Sequence, residues 1–299
     1  MTKFDLSKHN ARAWDEESRE ESQWCTPVPS EVIEKARNGE IELKLTPNKF
    51  VPKSWLKEIK GKDVLCLGSG GGQQAPILAA AGANVISFDI SQEQLNKDLF
   101  VANRDKLKLQ TIRGDMSNLS VFENESFDLI INAVSDIFVR DIKKVWKECI
   151  RVLKPGGELF SGMMNPSFFL FDHAEAQQSG NLSVKHKLPY SDFSSISKKK
   201  RQKMIDAGVP IVFGHSLQTL IGGQPKRAFL LSTSMKTGGR TMTHCLINSR
   251  LLLLLPEPEN PFSYYQYFQA SYLKTNRLRR ISRQAYPLLI QRQILLKYR

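Results

Sequence analysis

The sequence predicts an α/β protein built on a doubly wound, mostly parallel sheet. Three observations carry that expectation. Short apolar runs recur between helical stretches, the first run ends in a cluster of glycines, and the second ends in an aspartate 21 residues after the first of them. Strands separated by helices at such spacing specify a parallel sheet covered on both faces.

The elements follow in order. Residues 5–60 alternate polar helical stretches with turn signals at Pro27, Pro29, Pro47 and Pro52, and residues 1–60 are expected to form a helical cap or substrate segment. The acidic stretch Asp15–Glu21 within it reads as a solvated helix face rather than a metal site. After the turn Lys60-Gly61-Lys62, the run Asp63-Val64-Leu65-Cys66-Leu67 predicts a buried strand. Gln74–Ala81 is alanine- and leucine-rich and predicts a helix, with Gly82 as its C-cap. Val85–Asp89 is a second strand, and Ser91 caps a helix through about Asp105, with Gln94 completing a capping box. Leu109–Arg113 and Phe127–Asn132 are further strands. Ile142–Leu153 is an amphipathic helix closed by Lys154-Pro155-Gly156-Gly157, and Glu158–Met163 is the fifth strand. Residues 166–215 are less regular and read as a cap-like insertion; within them Lys198-Lys199-Lys200-Arg201 reads as a solvated helix start.

Composition narrows the class. At 41% hydrophobic and 24% charged residues, wholesale disorder, collagen and coiled coil are excluded. The longest pure apolar run is Leu251–Leu255, so no membrane span is expected. The polar, acidic residues 1–20 resemble neither a signal nor a transit peptide. Cys25, Cys66, Cys149 and Cys245 are scattered without a C-x-x-C pair, which fits reduced thiols and a cytoplasmic location.

The glycines Gly68, Gly70, Gly71 and Gly72 lie between a strand and a helix, where backbone N–H groups approach a ligand closely. Asp89 stands where a carboxylate accepts both hydroxyls of a ribose. These two features alone leave dinucleotide enzymes and other nucleoside binders open. Gly70-Gly71-Gly72-Gln73-Gln74-Ala75 formally fits the dinucleotide pattern G-x-G-x-x-A, so an NAD(P)-dependent oxidoreductase is an alternative. That frame begins two residues late and leaves Asp115-Met116 and Lys154–Gly157 unexplained.

Val64-Leu65-Cys66-Leu67-Gly68-Ser69-Gly70-Gly71-Gly72, then Gly114-Asp115-Met116, Phe127-Asp128-Leu129-Ile130-Ile131-Asn132 and Val152-Leu153-Lys154-Pro155-Gly156-Gly157 recur in order. Together they resemble the class I S-adenosylmethionine-dependent methyltransferases, in their small-molecule, type 11 branch, over about residues 10–224. The resemblance implies a Rossmann-like sheet, S-adenosyl-L-methionine as cofactor and a small-molecule methyl acceptor, with no specific nucleic acid as partner. It places Gly68, Ser69, Gly70 and Gly72 along the methionine part, Asp89 at the ribose, and Asp115 with Met116 at the adenine. Asn132 to Ser135, including Val134, would lie beside the sulfonium and the incoming nucleophile. Cys66 departs from the pattern, because many relatives carry there an acid that orders the glycine loop or contacts the methionine amino group. Methyl transfer needs alignment more than a base. Asp172 and His173 are the adjacent pair to test as proton acceptors, His215 reads as structural, and Trp14 and Trp24 are candidates to close over the cofactor.

The formal net charge of +13 is uneven. Residues 1–224 carry 30 Lys and Arg against 28 Asp and Glu, whereas residues 225–299 carry 13 against 2. By resemblance the fold ends in a helix and an antiparallel hairpin that completes the sheet. Ser216–Gln224 starts such a helix, but a leucine run, Pro256, Pro258, Pro261 and an Arg-rich end follow. Read one base earlier, codons for Met235-Lys236-Thr237-Gly238-Gly239 admit x-E-D-R-W, and those for Pro225 to Phe229 admit x-K-A-G-F, with Leu in first place if a codon there lost one base. Residues 225–299 are therefore expected to be a frameshifted or disordered basic tail, with the hairpin missing or altered and the fifth strand left as an exposed edge unless tail residues such as Phe229–Leu231 pair there. A cofactor binder without catalysis is one alternative. Another is an appendage binding RNA or an anionic membrane through Arg277, Arg279, Arg280, Arg283 and Tyr264, Tyr265 and Tyr267. Resequencing around codon 225 separates these, an intact frame in independent reads excluding sequencing error. Limited proteolysis is expected to cut beyond residue 225, and survival of that region would count against the frameshift.

Overall fold

The computed structural model describes residues 4–20, 22–46, 49–221, 230–231 and 250–254. Its centre is a seven-stranded sheet in which β1 (Asp63–Leu67), β2 (Asn84–Asp89), β3 (Leu109–Arg113), β4 (Phe127–Ala133) and β5 (Leu153–Gly162) are joined by β6 (Leu230–Leu231) and β7 (Arg250–Leu254). The order across the sheet is β6-β7-β5-β4-β1-β2-β3. Every neighbouring pair is parallel. The order turns back between β1 and β4, which opens a crevice at the carboxyl ends of those strands.

Alternation along the strands explains the two covered faces. Val64, Cys66, Leu129 and Ile131 pack into one apolar cluster with Ile33, Leu78 and Val101. Leu65, Leu67 and Ile130 pack into another with Trp146, Phe122 and Leu153. Residues of opposite parity thus point to opposite faces, and both faces are buried. Helices α2 (Ser30–Arg37), α3 (Gln74–Ala80) and α4 (Gln92–Arg104) supply the first layer, and α5 (Ile142–Val152) much of the second. Ser91 caps α4 as its sequence predicts, its side chain accepting from the Gln94 N–H, but Gln94 does not complete a capping box, because the Ser91 N–H donates to Asp89 instead.

The Lys154–Gly157 segment differs from a simple turn. Strand β5 already starts at Leu153, which pairs with Phe127, and the register then shifts so that Glu158 pairs with Leu129. The segment is an irregularity within the strand, with Gly156 at φ +81°. Lys154 Nζ reaches Asp63 at 2.7 Å and Asp128 at 3.0 Å, tying the starts of β1 and β4.

At the far edge, tail residues do reach the sheet. β5 is not left exposed, because β7 pairs with it from Glu158 to Gly162, and Leu230–Leu231 lies one strand further out. An open edge leaves backbone N–H and C=O groups without partners, and five residues of β7 supply them. The strands here run parallel to β5 rather than forming an antiparallel hairpin. Residues 225–229, 232–249 and 255–299, with Cys245 and the arginines and tyrosines named above, lie outside the described residues.

Helix α1 (Leu6–Arg19) and a short antiparallel pair, Lys44–Thr46 with Lys49–Phe50, cross the carboxyl ends of the strands. The insertion contains α6 (His173–Ser179), α7 (Lys198–Asp206) and the antiparallel pair Tyr190–Ser191 with Phe213–Gly214. No residue of α7 is buried, as the solvated basic run Lys198–Arg201 predicts. No helix among the described residues is long and apolar enough to cross a membrane.

Gly162, at the end of β5, shows how closely the Lys44–Thr46 strand packs. A Cβ there would lie 2.1 Å from the Leu45 carbonyl oxygen. Gly162→Ala is expected to lower unfolding free energy by about 1–3 kcal/mol, read as a lower urea midpoint at unchanged slope. An unchanged midpoint would contradict this packing.

Candidate functional site

The crevice at the strand ends is a cleft of about 720 Å³. Its floor is the loop from β1 to α3. Gly68, Gly70, Gly71 and Gly72 all have positive φ, between +64° and +85°, where a side chain is strained. A Cβ on Gly68 would also strike Ser135 Oγ at 2.8 Å.

Two buried carboxylates hold this loop. Asp89 Oδ2 accepts from the Ser69 N–H at 2.8 Å and Oδ1 from the Ser91 N–H at 2.8 Å. Asp98, on α4 and fully buried, accepts from the Gly72 N–H at 2.6 Å and from the Ser87 hydroxyl at 2.5 Å. Burial pushes the Asp89 carboxyl up to about 7 and the Asp98 carboxyl up to about 6, against the pull of these donors. Asp136, buried behind the cleft, is also pushed up to about 7 by burial, and its Oδ1 accepts from the Met164 N–H at 3.3 Å.

The residues singled out in the sequence divide into two groups. Gly68, Gly70, Asp89, Asp115, Met116 and Val134 line the cleft. Ser69, Gly72 and Asn132 stand behind its wall. Asn132 is buried, and its Nδ2 donates to the Leu67 carbonyl at 3.1 Å and to Ser135 Oγ at 2.6 Å. Val134 is β-branched yet has φ +38°, a strained conformation of the kind that clusters at functional sites.

Helix α1 closes one side. Ser7 Oγ donates to Asp115, whose other oxygen accepts from Ser117. Ser91 Oγ donates to Asp15 at 2.6 Å, and Arg19 pairs with Glu93 at 3.0 Å. Asn10 exchanges hydrogen bonds with the backbone of Ile211, which joins α1 to the insertion. Trp14 and Trp24 both line the cleft, Trp14 edge-on to Phe138 at 5.0 Å. Arg140, also lining it, stacks over Phe193 of the insertion at 4.5 Å.

Asp172 and His173 are not among the lining residues. Asp172 caps α6 and pairs with Lys200 at 2.6 Å, which helps to hold its carboxyl below the usual range. The His173 ring stacks on Phe168 and bonds its carbonyl at 2.7 Å; burial lowers its pKa. His215 likewise bonds the carbonyls of Asp136 and Val139, the structural role its sequence position suggested.

Sequence reasoning missed Asp98, Gln74 and Gln94. A signal existed for Asp98: with Leu95 and Val101 it occupies the buried face of α4 at helical spacing, a place where an unpaired acid is costly.

Comparison with known proteins fits this geometry. A family model described as a methyltransferase domain matches residues 65–161. An uncharacterized methyltransferase of Bacillus subtilis is 47% identical over 227 residues, covering 76% of this chain and 89% of that protein. The chain belongs to the class I S-adenosylmethionine-dependent methyltransferases. Its cofactor is S-adenosyl-L-methionine. A ubiquinone biosynthesis O-methyltransferase of Coxiella burnetii is 31% identical over 176 residues, 57% of this chain and 70% of that protein. Among solved structures, an S-adenosylmethionine-dependent methyltransferase of Mesorhizobium loti matches 57% of this methyltransferase and 75% of that chain, at 18% identity and a TM-score of 0.44.

The cofactor fits the residues present: a loop with glycine at four of its five positions, an aspartate beyond it, and orphaned polar atoms in the wall. Asp98→Ala leaves the Gly72 N–H and the Ser87 hydroxyl without their acceptor. It is expected to cost about 2 kcal/mol or more of stability and to weaken cofactor binding, with Asp98→Asn milder. Equal urea midpoints for wild type and Asp98→Ala would exclude the bracing role.

Proposed function

We propose that this methyltransferase transfers a methyl group to an apolar, ring-bearing small molecule by in-line displacement. The observation behind this reading is the aromatic and apolar lining of the cleft, to which Trp14, Trp24, Phe50, Phe138 and Met164 contribute. Aromatic walls take flat apolar ligands and exclude water.

When bound, the cofactor supplies a methyl carbon activated by its sulfonium. Asp89 accepts the ribose hydroxyls, and Asp115 with the Met116 N–H receives the adenine edge. The strained turn at Val134 and Ser135 borders the place where the acceptor meets the methyl group. The chain's contribution is alignment at about 3–3.5 Å and exclusion of water. Asp172 and His173 are given no step, since both are engaged away from the cleft. Free, buried Cys25, Cys66 and Cys149 accord with a reducing compartment, and we infer the cytoplasm.

Calorimetric titration tests the cofactor half of this reading. S-adenosylmethionine is expected to bind saturably, with binding lost in Asp89→Ala and no response to NADH. Binding to a folded sample must precede any acceptor screen; binding without transfer to any of a panel of phenols, quinols and hydrophobic amines would overturn the acceptor proposal. Ribose hydroxyls bond best to the ionised Asp89, whose carboxyl lies at about 7 without ligand. Below that value the proton competes, so affinity is expected to fall about tenfold per pH unit at most from pH 7 towards pH 6 and to plateau above pH 8. A flat profile would remove Asp89 from the ribose.

A further inference from the structure

Two carbonyl oxygens in the cleft wall have no donor. Gln74, the first residue of α3, is 8% exposed. Its Nε2 donates to the Lys44 carbonyl at 3.2 Å, which fixes the amide's orientation, while Oε1 is unpartnered. Gln94, in the first turn of α4, is 3% exposed. Its side chain bonds the Cys25 thiol, and its Oε1 is unpartnered too. Both glutamines line the cleft. Their free oxygens lie over the glycine loop: Cβ atoms on Gly70 and Gly71 would meet them at 2.7 Å and 2.0 Å respectively.

Buried carbonyls without donors are costly and rare, and a pair of them flanking one loop marks the place of a missing donor. We propose that Gln74 and Gln94 receive the ammonium group of the cofactor's methionine part. This rests on the cofactor reading above. An ammonium carries three donors and no acceptor, so two neutral carbonyls and a backbone oxygen satisfy it. The strand beneath offers no charge at its loop end, since Cys66 is buried and its thiol stays protonated. Glu17 lines the same cleft but already has an interaction of its own. Neutral acceptors also leave ammonium binding independent of a carboxylate's protonation, unlike the ribose contact at Asp89.

Two ligands separate this proposal from the cofactor reading. S-adenosylhomocysteine carries the amino acid, and 5′-methylthioadenosine has the same nucleoside and thioether without it. Calorimetry on the full chain is expected to show wild type binding both. Gln74→Met and Gln94→Met remove each carbonyl at similar volume. Each is expected to weaken S-adenosylhomocysteine about tenfold or more and to change 5′-methylthioadenosine less than twofold. Gln94→Met removes an unsatisfied buried oxygen along with the weak bond to the Cys25 thiol, so its ligand-free Tm is expected to stay close to that of wild type, and the retained 5′-methylthioadenosine affinity guards against a folding explanation. Unchanged S-adenosylhomocysteine affinity in the double variant, or parallel loss of both ligands, overturns the proposal. Failure of wild type to bind either ligand overturns the cofactor reading itself, and the proposal with it.

Discussion

The glycine loop depends on two buried carboxylates, one of which, Asp89, also borders the cleft. Four successive positive-φ positions with an intervening serine make an entropically expensive segment, and nothing in the loop itself holds it in one shape. Asp89 and Asp98 do so by accepting from Ser69 and Gly72, one at each end. Both acids are desolvated, and they raise each other's cost because they lie close enough for the charge of Asp98 to act on Asp89. The fold accepts this burial because the same bonds connect β1 to β2 and α4. The cleft's shape therefore follows from strand order: β1 and β2 must be neighbours for Asp89 to reach the loop.

Much of this was legible in the sequence because it is local. Strand β1 and the glycines that follow it are contiguous, and Asp89 ends the next strand, so its position is set by one crossover. The α4 cap at Ser91 follows from three residues. Lys154-Pro155-Gly156-Gly157 reads as a turn and proved to be a break in register inside β5. Its composition reports chain reversal propensity, whereas pairing with Phe127 and Leu129 is a long-range fact.

What stayed hidden depends on partners far apart in the chain. The bond from Ser7 to Asp115 spans 108 residues, and nothing near either residue announces it. Gln74 and Gln94 look like ordinary polar residues at helix starts until the loop is folded against them. Asp172 and His173 drew notice as an acid–base pair, but a helix cap and a buried stacked ring account for both. The partner of β5 likewise depends on tertiary pairing. Charge counting separates residues 225–299 from the rest, yet it carries no information on which leucines reach the sheet.

The hydrogen bond between Ser7 and Asp115 couples access to chemistry. Asp115 is the group proposed to receive adenine, and helix α1 already bonds one of its oxygens. A nucleoside arriving there and the serine compete for one acceptor, so the helix and the ligand act as rivals at the door and as neighbours once both are seated.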